Sequence, residues 1–150
     1  MPAWTLRYRQ IHLDFHTSEH IGGIGARFRR RQFQAALQLG HVNSITVFAK
    51  CHHGWSYYPT KVGQPHPHLK INLLQRQIEA CHEIGVRAPI YLTLGWSAND
   101  ALQHPEWTVR QRDGSTFGLN VDHLEAWPPE VQAIYASRIH DDGQGGRWFA

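Results

Sequence analysis

Three β-type runs, separated by two amphipathic segments of helix length, constrain this chain more than any other feature. Residues 8–16 read as a strand. From Ile11 onward the side chains alternate, with Ile11, Leu13 and Phe15 on one face and His12, Asp14 and His16 on the other. A glycine-rich turn at Gly22, Gly23 and Gly25 leads into a predicted helix from about residue 26 to 39, stopped by Gly40. Residues 44–51 form the second strand, and a polar loop from His52 to His68 precedes a second helix over 69–84, closed by Gly85. Residues 87–94 are the third strand. Strand, helix, strand, helix, strand is the pattern of parallel βαβ units, so the predicted class is α/β. In that class ligand chemistry collects where strands end, because loops there carry varied side chains on a rigid sheet. The three ends are His16-Thr17-Ser18, Lys50 to Trp55, and Leu94 to Ser97.

Composition removes several function classes. An apolar share of 41% and a mean hydropathy of −0.47, with no long apolar run, give no membrane span, and the N-terminus lacks the apolar core of a secretion signal. The expected address is cytoplasmic, with no membrane partner. Cys51 and Cys81 have no C-x-x-C spacing, so neither a zinc knuckle nor a disulfide framework is indicated and both are expected as free thiols. Eleven Lys and Arg stand against four Asp and Glu over residues 1–99, whereas residues 100–150 carry four against eight. The densest basic group, Arg27 and Arg29 to Arg31, has no interleaved aromatics and reads as the solvated entry to a helix, so no nucleic-acid partner is expected. Gly22, Gly23 and Gly25 lack the dinucleotide-binding spacing, and no phosphate-loop lysine motif occurs. Twelve histidines and six tryptophans instead suit a polar pocket with aromatic walls.

Two motifs can carry chemistry. In His12-x-Asp14-x-His16 the period of two places all three side chains on one strand face. Hydrogen bonding to sugar hydroxyls, metal ligation and a purely structural polar lining are the three readings. Metal ligation demands most, because residues two apart on a strand are separated by about 7 Å along the chain. The second motif is Phe48-Ala49-Lys50-Cys51-His52-His53-Gly54-Trp55, which crowds a cation, two imidazoles and an indole at one strand end. A thiol nucleophile built from Cys51 and His52 is disfavoured, since adjacent strand residues point to opposite faces. Trp55, Trp96 and Trp107 follow or flank strand ends, where an exposed indole face stacks on the apolar surface of a sugar ring; Trp55 and Trp96 are the better placed.

The run from Ala49 to Trp55 resembles the strand-end motif Ala-Lys-His-His-Asp-Gly-Phe of family 29 α-L-fucosidases. Ala49, Lys50, His52, Gly54 and Trp55 keep or approximate it, while Cys51 stands for the first histidine and His53 for the aspartate. Taken with Gln10 to Ser18 and His104-Pro105-Glu106-Trp107, the chain is most similar, over roughly residues 9–114, to the fucosidase-related group called glycosyl hydrolase-like family 6. The resemblance implies a (β/α)8 barrel acting on a glycoside. Such a barrel needs roughly 250 residues, so 150 correspond to its first three βα units.

Residues 1–117 are therefore expected to be the N-terminal portion of a glycosidase-like barrel, and 118–150 an irregular or weakly helical tail. Within that tail a short helix over 126–139 is conceivable, Asp141 to Ala150 read as unstructured, and no fourth strand is predicted. The expected substrate-binding residues are His12, Asp14, His16, Lys50, His52, His53, Trp55 and Trp96, with no metal and no cofactor. Glycoside hydrolysis needs two carboxyl groups about 5–5.5 Å apart for retention or about 6.5–9.5 Å for inversion. In the resembling fucosidases they follow the fourth and later strands, so the catalytic residues are expected beyond this chain, which alone is expected to be inactive and prone to aggregate through unpaired edges. The competing readings are a metal-dependent hydrolase using His12, Asp14 and His16, and a small non-catalytic carbohydrate-binding module.

Overall fold

The computed structural model describes residues 5–115, 139–141 and 147–149. They divide into two compact units, one ending at Trp107 and one starting at Thr108. In the first unit the order is β1 (Gln10–His12), α1 (Arg30–Leu39), β2 (Ser44–Lys50), β3 (Trp55–Ser56), β4 (Gln64–Pro65), α2 (Leu73–Glu83), β5 (Ile90–Leu92) and α3 (Ala98–Gln103), followed by a 3-10 turn at Pro105–Trp107.

The longest strand, β2, organises the sheet. Its β-branched and aromatic run Ile45-Thr46-Val47-Phe48 suits a pleated surface packed on both sides. β1 lies parallel along its first half, with Gln10 opposite Ser44 and His12 opposite Thr46. β5 lies parallel along its second half, with Val47 opposite Ile90 and Phe48 opposite Tyr91, and the register shifts before Lys50 meets Leu92. The predicted parallel βαβαβ order is thus present, and the described residues form a mixed α/β fold with a sheet and three helices. Ile45 and Val47 pack with Leu37 of α1 and with Cys81 and Val86, while Phe48 joins a second cluster with Ile24, Cys51, Tyr57 and Leu73. Both cysteines are free and buried, and burial pushes the Cys81 thiol up to about 11.

Several boundaries differ from the sequence expectations. The first strand is three residues rather than nine: its ladder ends with Leu13 N–H donating to Thr46 O at 3.1 Å, and the chain then bends toward Tyr57. α1 starts at Arg30, not near residue 26, because left-handed Gly23 and Gly25 close turns that accept from Ala26 N and Phe28 N. α2 starts at Leu73, since Asn72 caps it by accepting from Gln75 N at 3.1 Å while Lys70 N donates to Ile24 O. The third strand shrinks to Ile90–Leu92, since Pro89 has no N–H for the ladder.

The expectation of no fourth strand is also corrected. β3 pairs antiparallel with the tip of β2 through Ser56 and Lys50, and β4 runs parallel to β3. In the second unit β6 (Ile139–Asp141) and β7 (Arg147–Phe149) form an antiparallel hairpin where an unstructured tail was predicted. Strands of two or three residues show too little alternation to register as a pattern. The helix expected over 126–139 lies outside the described residues, except that Ile139 is in β6. Earlier in this unit Arg112-Asp113-Gly114 form a turn, with Gly114 left-handed and Asp113 Oδ1 accepting from Ser115 N at 2.9 Å. Among the described residues no helix is long and apolar enough to cross a membrane.

Two interactions fix the loops at the strand ends. Tyr57 is fully buried, and its hydroxyl donates to Phe15 O at 3.0 Å while accepting from Thr17 N at 3.1 Å, which ties the segment after β1 to the sheet. Gly54 has φ +93°, and a Cβ there would lie 2.7 Å from Asn99 Cβ and 2.8 Å from Ser97 Oγ, so only glycine lets α3 approach. Tyr57→Phe leaves buried backbone groups unpaired and is expected to lower the unfolding free energy by about 1–3 kcal/mol in a urea titration. Gly54→Ala is expected to undock the start of α3, seen as faster hydrogen exchange at the Ala98 and Asn99 amides; unchanged exchange contradicts this packing.

Candidate functional site

The bend after β1 is what brings the His12-x-Asp14-x-His16 side chains together. On a continued strand they would stand about 7 Å apart. Instead His16 Nε2 lies 2.9 Å and His12 Nε2 3.9 Å from the same Asp14 oxygen, Oδ1. Both imidazoles meet Phe48 edge-on, with centroids 5.2 Å (His12) and 5.0 Å (His16) from its ring, and Phe48 stacks on Tyr91 at 4.2 Å. The polar face of β1 and the aromatic face of β2 and β5 therefore form one surface.

The end of β2 adds the second group. His52 stacks on His16 with centroids 3.9 Å apart, and His53 lies at 4.5 Å from His52. His52 N–H donates to His16 Nδ1 at 3.4 Å, which leaves the His16 proton on Nε2, facing Asp14. Lys50 Nζ contacts Asp100 Oδ2, and the same oxygen accepts from Ser97 Oγ at 2.6 Å. Ala98 N donates to His52 O at 2.9 Å and Asn99 N to His53 O at 3.0 Å, so α3 is anchored to the histidine backbone itself.

The structure thus places His12, Asp14, His16, Lys50, His52 and His53 at adjoining ends of the parallel strands. Trp55, in β3, is half-buried beside them, its indole N–H donating to Glu19 Oε2 at 3.3 Å and its ring edge-on to His66. Trp96 is 78% exposed, and its carbonyl rather than its indole is tied in, by Thr93 Oγ1 at 2.6 Å. Trp107 stacks on His104 at 3.7 Å.

Residues that the sequence reading passed over complete the arrangement. Asp100 holds Lys50 while Ser97 Oγ donates to Asp100, and the Ser-x-x-Asp spacing, typical of a helix start, was the available signal. His66, 2% exposed, contacts Ser18 O through Nε2 at 2.8 Å and accepts from His68 N, so it supports the loop from below. A concavity of about 430 Å³ bounded by Arg7, His82 and Arg87 shares no residue with the cluster.

Burial keeps the two stacked imidazoles, His16 and His52, neutral at pH 7. Burial lowers His16, with Asp14 partly offsetting it. Burial, then the neighbouring His16 and His53, lowers His52 to about 4. Burial alone would raise Asp100, but hydrogen bonds from Lys50 and Ser97 hold its carboxyl below the ordinary value. That is the reverse of what a general acid needs. Neutral imidazoles donate with one nitrogen and accept with the other, which suits hydroxyl groups. Among the described residues no group of three or more His, Cys, Asp or Glu has the geometry to hold a metal ion.

The family model described as hypothetical glycosyl hydrolase 6 matches residues 30–138. Alpha-L-fucosidase isoenzyme 2 from Paenibacillus thiaminolyticus superposes with a TM-score of 0.71 at 46% identity, over 91% of this chain and 22% of that one. The chain therefore spans about a fifth of that fucosidase. No curated protein matches the chain. With a family model covering well over half its length, the chain belongs to the hypothetical glycosyl hydrolase 6 family.

Proposed function

We propose that this chain carries the sugar-recognition wall of a fucosidase-related glycoside hydrolase, built on the first three βα units of a (β/α)8 barrel. The observation that carries this reading is the convergence of His12, Asp14, His16, Lys50, His52 and His53 at the C-terminal ends of two adjacent parallel strands, β1 and β2. The imidazoles and Asp14 hydrogen-bond ring hydroxyls, and Trp55 forms the apolar wall. The half-exposed Ile90 and Leu92 on β5 are in keeping with a strand that accepts a further neighbour in a larger sheet. In this reading the carboxyl pair that cleaves the bond belongs to the remainder of a longer enzyme, and the 150 residues bind without turnover.

L-fucose added to the chain is expected to quench tryptophan fluorescence saturably, with a Kd of about millimolar order, as a shallow polar site allows. His52→Ala is expected to weaken that binding about tenfold, the loss of one hydrogen-bonding group from a preorganised set. A chromogenic α-L-fucoside should remain uncleaved. Absence of any saturable response sinks the sugar reading, and turnover sinks the assignment of catalysis elsewhere. A non-catalytic binding module shares the first two results; restoration of hydrolysis on adding the remainder of a fucosidase barrel separates the two.

The pH window follows from the lowered imidazoles. Because folded His52 titrates at about 4, below its ordinary 6.5, the unfolded chain binds the extra proton between these values. The contribution to stability is full above 6.5 and is lost as pH falls through the folded value. Sugar binding is expected to be flat from pH 6 to 8 and to decline toward pH 4 as the stack charges. An NMR titration of the His52 ring that centres near 6.5 contradicts the buried stack.

A further inference from the structure

Selectivity at a sugar site depends on fixed charge as well as on hydroxyl geometry. The three segments that build the cluster, residues 13–20, 50–56 and 93–107, contain one Lys or Arg, which is Lys50, and four carboxylates, Asp14, Glu19, Asp100 and Glu106. A single cation at such a place would ordinarily attract an acidic sugar.

Lys50 is not available in that way. Its side chain is 17% exposed and its Nζ sits on Asp100 Oδ2. Asp100 is itself positioned from two sides. Ser97 Oγ donates to the same oxygen at 2.6 Å, and α3 is docked through Ala98 N and Asn99 N to the carbonyls of His52 and His53. The pairing is therefore set by backbone docking as well as by two flexible side chains. The stacked His16 and His52 supply no substitute charge at neutral pH, since burial keeps both low. What remains toward solvent is negative, with the Asp14 side chain 68% exposed.

Resting on the sugar-site reading above, we infer that Asp100 is a specificity-determining residue: by cancelling Lys50 it makes the site select neutral sugars and reject sugars that carry a carboxylate on the ring. Neutralising Asp100 while keeping its shape leaves Lys50 as an uncompensated cation beside the bound ring. At a few ångströms in partly solvated surroundings one released charge is worth about a five- to tenfold change in affinity for an anion. The change shrinks as salt is added.

The test uses the 150-residue chain at pH 7 and low salt, titrated with L-fucose and with L-galacturonate, which have the same ring and differ at C6 as methyl against carboxylate. Wild type is expected to bind L-fucose at least fivefold tighter than L-galacturonate. Asp100→Asn is expected to raise the affinity for L-galacturonate relative to L-fucose by about five- to tenfold, and adding Lys50→Met to Asp100→Asn should abolish the gain. A mere loop staple at Asp100 predicts no gain for the anion. If wild type binds both sugars equally, the inference fails whatever becomes of the variants. If wild type binds L-fucose and a folded Asp100→Asn gains nothing, it fails as well. If wild type does not bind L-fucose, the sugar-site reading falls and takes this inference with it.

Discussion

The docking of α3 against the end of β2 is the contact on which the site depends. Two backbone N–H groups, of Ala98 and Asn99, reach the carbonyls of His52 and His53. The approach is close enough that residue 54 must be glycine, in a left-handed conformation. Through this one contact the loop after the third parallel strand is joined to the loop after the second. Asp100 is delivered to Lys50 and the histidine backbone is held fixed. The Tyr57 hydroxyl performs the corresponding service for the loop after the first strand.

With the loops fixed, the chemistry of the cluster follows from burial and pairing. Stacking His16 on His52 costs charged imidazole its hydration, so the rings stay neutral and keep both donor and acceptor functions. The one basic side chain is cancelled internally and the neighbouring Asp100 is held in its ionised form. In the proposed reading these donors and acceptors hydrogen-bond the hydroxyl groups of a sugar ring, and the carboxyl pair that cleaves a glycoside lies elsewhere in a longer enzyme.

Much of this was legible in the sequence, and the misses share a physical origin. The start of the alternation at residues 11–16 and the β-branched run at 45–48 marked two strands, and the histidine-rich end of the second marked the candidate site. Helix boundaries slipped by up to four residues because Gly23, Gly25 and Asn72 impose turns and a cap that hydrophobic spacing does not encode. Strands β3, β4, β6 and β7 are too short to show alternation. Asp100 was passed over, because its partner, Lys50, is fifty positions away and is found only when the loop docks. Trp96 was chosen for its place after a strand, yet its indole points into solvent, which spacing alone does not reveal.

The most direct test of the central claim is a chemical-shift map of the histidine rings and tryptophan indoles as L-fucose is added. The account predicts that His16, His52, His53 and Trp55 shift together with one saturation curve, while His41 and His82, at the far end of the strands, stay fixed. Shifts confined to His82 and its surroundings, or no coherent shift among the stacked histidines, would contradict it.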